Sequence, residues 1–61
     1  MRYLLSITTN GVNIIELCAT EERAKERFDF FYSMVDRVKI IDQEAHRVYV
    51  DYRWIEGSVE V

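Results

Sequence analysis

The residues able to do chemistry in this chain are few and scattered. It has one cysteine, Cys18, and one histidine, His46. Nucleophilic catalysis needs a nucleophile, a base and an orienting group in one place. Cys18 falls at the end of an apolar run and His46 in a polar stretch, and nothing in their spacing brings them together. Cys18 therefore reads as a small apolar residue and His46 as a polar turn residue. Ser6, Ser33 and Ser58 lack the strand–turn–helix context of a nucleophile elbow. No Cys or His pair has ligand spacing, and the carboxylates form no calcium-loop pattern. Gly11 and Gly57 are isolated, so no glycine-rich loop exists to cradle a phosphate. Glu21, Glu22 and Glu26 read as a solvated helix face. The sequence calls for no enzyme activity, no cofactor and no metal.

Basic and aromatic residues give the other chemical possibility. Arg47, Tyr49 and Arg53 alternate, and Lys39 and Arg2 are placed to join them on one sheet face. A basic sheet with a stacking platform is a common way to hold single-stranded nucleic acid. Asp51 and Glu16 interrupt the set, however, and the chain carries a net charge of −3 with a pI near 5.0. That balance disfavours a nucleic-acid binder and leaves this reading as the alternative.

The elements that must position these residues follow from local pattern. Sixty-one residues allow one domain, 1–61. Residues 3–8 and 12–18 are rich in aliphatic and β-branched types and flank Asn10-Gly11, a strong hairpin signal. Two registers are open. A two-residue turn pairs Leu5 with Glu16 and Leu4 with Leu17. A three-residue loop, Thr9 to Gly11, pairs Leu5 with Ile15 and gathers Tyr3, Leu5, Ile7, Ile15 and Leu17 on one face. The second is preferred for its cleaner face. Thr20 then caps a helix, with Glu21 and Glu22 at its positive end. Ala24, Phe28, Phe31 and Val35 form its apolar stripe to about Asp36. Residues 38–41 and 47–54 alternate as strands around the polar turn 42–46. An odd loop there sets Val38 and Ile40 against Val50 and Val48, with Tyr52 and Trp54 on the same face.

The expectation is an α+β domain of order β-β-α-β-β: one four-stranded antiparallel sheet with a single helix packed across one face. Its parts are a hairpin over 2–18, a helix over 20–36, a hairpin over 38–55 and a short C-terminal tail or edge strand over 58–61.

One helix covers one sheet face only. The other face is expected to carry Leu4, Val12, Ile14, Ile41 and Tyr49, more apolar than a solvated face needs, with Phe30 as a separate exposed aromatic. Apolar patches rimmed by charge mark interaction sites. Open sheet edges offer a second route, by strand addition. The functional expectation is a small non-enzymatic protein-binding module that self-associates, as a homodimer or higher oligomer, and regulates or inhibits a protein partner. A purely structural subunit of a larger assembly shares the same features. In size alone the chain resembles the accessory proteins with which phages and mobile elements inhibit host machinery. A single cysteine, the lack of a signal-peptide core in Met1–Ser6 and the absence of any long apolar run point to a cytoplasmic setting and no membrane partner.

Overall fold

A computed structural model describes residues 1–57. The elements in chain order are β1 (Tyr3–Thr9), β2 (Val12–Cys18), α1 (Glu21–Tyr32), β3 (Arg37–Asp42), β4 (Arg47–Val50) and β5 (Arg53–Glu56). They form one antiparallel sheet of order β2-β1-β3-β4-β5, with α1 packed across it. The class is the expected α+β. The sheet has five strands rather than four, and the tail expected over 58–61 lies outside the described residues.

The first hairpin turns on two residues. Asn10 (φ 51) and Gly11 (φ 76) both take left-handed backbone, as the two-residue hairpin turns that match strand twist require. The register follows: Leu5 pairs with Glu16, Leu4 with Leu17 and Ser6 with Ile15. The three-residue alternative is therefore corrected. Because side chains alternate with period two, the one-residue slip moves Ile15 and Leu17 out of the core.

β1 lies inside the sheet, between β2 and β3. Tyr3, Leu5 and Ile7 point under the helix, where they meet Cys18, Ala24, Phe28, Ile40 and Tyr49 in the core. Thr20 caps α1 as expected, its Oγ1 accepting from the Arg23 amide at 3.1 Å. The helix stops at Tyr32 rather than Asp36. Its twelve residues run about 18 Å. Continuing to Asp36 would add about 6 Å and leave no chain to reverse into Arg37. The Met34 and Val35 amides instead close on the Phe31 carbonyl at 2.9 and 3.2 Å.

The run from Arg47 to Trp54 is not one strand. It breaks at Asp51 (φ 47) and Tyr52 (φ 65), a second two-residue turn, and returns as β5 with Val50 opposite Arg53. The loop between β3 and β4 spans four residues, not an odd number, and sets Ile40 against Tyr49 and Ile41 against Val48. The even loop inverts the expected faces of β4. Tyr49 and Arg47 lie on the helix side, and Val48 and Val50 on the outer side. Trp54 reaches the helix side by way of the second turn, opposite Tyr49.

Asp42 ties the end of β3 to the rest. It is fully buried and accepts from Arg2 Nε (2.9 Å), Arg2 Nη2 (3.1 Å) and Arg47 Nε (3.1 Å). The amides of Glu44 and Ala45, each at 3.2 Å, complete its shell. These donors hold its carboxyl well below the usual carboxylate range, the Arg2 hydrogen bonds first among them. A buried charge without such partners is strongly unfavourable, so Asp42 fixes the path of the β3–β4 loop.

Candidate interaction surface

β2 ends the sheet, with β1 on one side and no strand of the described residues on the other. Its seven residues, VNIIELC, include four exposed large apolar side chains: Val12 (56%), Ile14 (48%), Ile15 (41%) and Leu17 (58%). Val12 and Ile14 stand on the helix side of the sheet, Ile15 and Leu17 on the outer side. The edge bears one charge, Glu16, and Arg27 of the helix neutralises it. Arg27 Nε and Nη2 reach the two Glu16 oxygens at 2.7 and 3.1 Å. That fork holds the Glu16 carboxyl below its ordinary value. Asn13, the remaining polar side chain, folds back onto β1, its amide donating to Ser6 Oγ, the Ile7 carbonyl and Thr8 Oγ1.

The backbone of this edge follows from the turn. A two-residue hairpin makes Thr9 and Val12 a hydrogen-bonded pair, and such pairs recur at every second residue. Ile14, Glu16 and Cys18 therefore bond to β1. The N–H and C=O groups of Asn13, Ile15 and Leu17 point away from the sheet. Edges of this kind are normally blunted by lysine, proline, a bulge or brevity, and β2 has none of these.

An apolar row runs from this edge across the outer face, open to solvent at its two ends and closed at Ile41 and Val48 in the middle. Leu17, Leu4, Ile41, Val48 and Ile55 are successive partners on β2, β1, β3, β4 and β5 and form one row across all five strands. Ile41, at its centre between Leu4 and Val48, is fully buried, while Leu17 and Ile55 at the two ends are exposed. Beside the row lies a groove of about 910 Å³ whose lining includes Ser6, Thr8, Asn13, Lys39 and Val50.

The structure divides the residues proposed from sequence. Leu4, Val12, Ile14 and Phe30 lie at the surface or partly so; Ile41 and Tyr49 are buried. Phe30 is exposed beside the β2 edge, with Arg27 5.2 Å from its ring centre. Ile15 and Leu17, expected under the helix, are exposed, and so is Ile55. For Ile15 and Leu17 the signal was present, since Asn-Gly favours the two-residue turn that exposes them.

The basic set does not share one face. Arg47 and Tyr49 lie on the helix side, whereas Lys39 and Arg53 lie on the outer side. Arg47 is held by Asp42, by Glu21 (3.6 Å) and by the Trp54 ring, 4.0 Å from its centre. Tyr49 packs edge-on to Phe28 at 5.0 Å. Cys18 is buried, and burial first and Glu16 second push its thiol above the ordinary value, the opposite of what a reactive thiolate needs. Among the described residues no group of three or more His, Cys, Asp or Glu could hold a metal ion, and no helix is long and apolar enough to cross a membrane. Comparisons with protein-family models, with curated proteins and with solved structures give no match.

Proposed function

We propose that the chain is a protein-binding module that acts by association rather than by catalysis, and that it binds through the β2 side of its sheet. One observation carries this reading. Among the described residues β2 is an unpaired seven-residue edge that exposes four large apolar side chains, and the one charge on it is already neutralised within the molecule. Such an edge offers main-chain hydrogen bonds for affinity and alternating side chains for specificity. On the outer face Leu4, half-buried opposite Leu17, adds to this apolar edge. A module of this size can regulate or inhibit a protein partner by occupying an edge or an apolar surface of that partner.

The test compares two tagged proteins in capture from source-cell lysate after nuclease treatment. One is the natural chain and the other carries Ile15→Lys and Leu17→Lys. Both positions are exposed, so the variant keeps the unfolding midpoint of the natural chain to within about 0.5 kcal/mol per site. The reading expects protein partners retained by the natural chain and lost by the variant. Equal retention by both moves the binding surface elsewhere, and recovery of nucleic acid alone overturns the reading.

A further inference from the structure

We infer that the partner this edge fits is a second copy of the chain, joined strand to strand about a two-fold axis through Ile15. The inference rests on the reading of β2 as the binding side and names its occupant.

Symmetry of the edge is the first argument. The outward N–H and C=O groups belong to Asn13, Ile15 and Leu17, spaced evenly about Ile15. A two-fold axis at Ile15, normal to the sheet, sets Ile15 against Ile15 of the copy and Asn13 against Leu17 of the copy. Every one of these is a hydrogen-bonded pair exchanging two bonds. The pairing uses Val12 to Cys18 completely, with no residue of β2 left over.

Neighbouring registers are worse. An axis at Ile14 sets Leu17 against Gly11, a turn residue with left-handed backbone. An axis at Glu16 sets the two Glu16 side chains against each other, and like charges directly opposite are destabilising. At Ile15, Glu16 faces Ile14 of the copy and keeps its Arg27 partner.

Side chains agree with the backbone. On the outer face, Ile15 meets its own copy and Leu17 lies diagonal to it; on the helix face the two Ile14 residues are diagonal neighbours, within the reach of cross-strand packing. The exposed apolar residues at the middle of β2 are thus covered by one another. No unpaired charge is covered, because Asn13 is turned onto β1 and Glu16 keeps its Arg27 partner. The result is a continuous ten-stranded sheet with both helices on one side.

Amide hydrogen exchange on the natural chain, followed across a concentration series beside sedimentation velocity, tests this. As the sedimenting species changes from monomer to dimer, the amides of Asn13, Ile15 and Leu17 should slow by about tenfold or more. The outward amides of Trp54 and Glu56 on β5 should not change. Cross-linking then checks the register in a Cys18→Ala background. The hydrogen-bonded pair places the two residues at 15 about 5.5 Å apart at Cα, within disulfide range. Ile15→Cys should form a disulfide dimer under mild oxidation. Leu17→Cys should form one only when mixed with Asn13→Cys.

A dimer in which the three amides stay unprotected overturns the edge pairing and leaves self-association standing by another surface. A chain that stays monomeric at every concentration overturns the inference, while the lysate capture still decides whether β2 binds a different protein. Protected amides with cross-links in another register overturn the axis at Ile15. If Cys18→Ala fails to fold, the exchange measurement decides the pairing alone.

Discussion

The β1–β2 hairpin turns on Asn10 and Gly11, and the β4–β5 hairpin turns on Asp51 and Tyr52; all four residues have positive φ. In the first, asparagine and glycine enter left-handed backbone without steric conflict, and a Cβ at Gly11 would meet no atom within 4 Å. In the second, a tyrosine sits at φ 65, at a cost on the order of 1 kcal/mol. Tertiary contacts must offset that. The Tyr52 hydroxyl donates to Asp29 at 3.0 Å and the Tyr32 hydroxyl to Asp51 at 3.3 Å. The Tyr52 ring lies 4.7 Å from Tyr32 and 5.4 Å from Phe28. The strands differ in the same sense. β2 has seven residues and a nearly neutral apolar edge, whereas β5 has four and carries Arg53 and Glu56. A hairpin fixed by its own turn leaves an edge free to bind; a hairpin fixed by the helix has its contacts committed inside the molecule.

Phe28→Ala should break this contrast most severely. Phe28 is fully buried and touches Tyr49, Tyr32 and Tyr52. Truncation should cost about 3–5 kcal/mol, most of the stability of a domain this size, read from urea midpoints. Amide exchange should show β4 and β5 opening before β1 and β2. Uniform loss of protection would mean that both hairpins belong to one cooperative unit.

Asp42→Asn should follow, at about 3 kcal/mol, because it leaves the Arg2 and Arg47 hydrogen bonds without their charge. Asp42 anchors β4 to β3 and has no counterpart in the first hairpin. The lowered carboxyl pKa gives the sign of the pH dependence. The folded state holds the charged form, so its contribution is fully present above the unfolded value near ~3.9 and is lost as pH falls through the depressed folded value. The natural chain should lose stability steadily below about pH 4. The variant should show a flatter acid limb, with the smaller Glu16 contribution of the same sign remaining. Parallel acid limbs in the two proteins would remove Asp42 from this role.

The same contrast explains what the sequence makes legible. Asn10-Gly11, Thr20 with its two glutamates, and the stripe Ala24, Phe28, Phe31 and Val35 are local signals, and they lead to the hairpin, the cap and the helix. The register differs from the expectation because gathering five apolar residues on one face counts for less than the turn type. On an edge strand that gathering fails, since Ile15 and Leu17 have no helix above them. The Asp51-Tyr52 turn has no local signal: RVYVDYRW alternates without glycine or asparagine, and the residues that bend it, Asp29 and Tyr32, lie on the helix. The even β3–β4 loop is why Tyr49 and Arg47 lie under the helix, apart from Lys39, and the hidden turn is why Arg53 falls on the outer side. Val12 and Ile14 are exposed, but on the helix side and not on the outer face expected for them, because the two-residue turn flips β2 and leaves them at the open edge.

The smallest effects come from exchanging the turns' own residues, and they sharpen the comparison most. Gly11→Ala puts a Cβ into open space at φ 76, so its cost is purely that of left-handed backbone, about 1 kcal/mol. Tyr52→Gly removes the backbone strain and with it the ring contacts and the bond to Asp29. If the second turn is held from outside, the loss outweighs the relief and the midpoint falls by a few degrees. The alkaline limb should change as well. Burial first and Asp29 second raise the Tyr52 hydroxyl above its ordinary value, and the Asp51 charge raises Tyr32. Their neutral forms stabilise the fold fully below the unfolded value near ~10, and that contribution is lost as pH rises through the folded values. With glycine at 52 the loss at high pH should shrink, because only Tyr32 retains its partner. A glycine that instead raised the midpoint would show a turn encoded locally after all, and a left-handed tyrosine kept there for something other than folding.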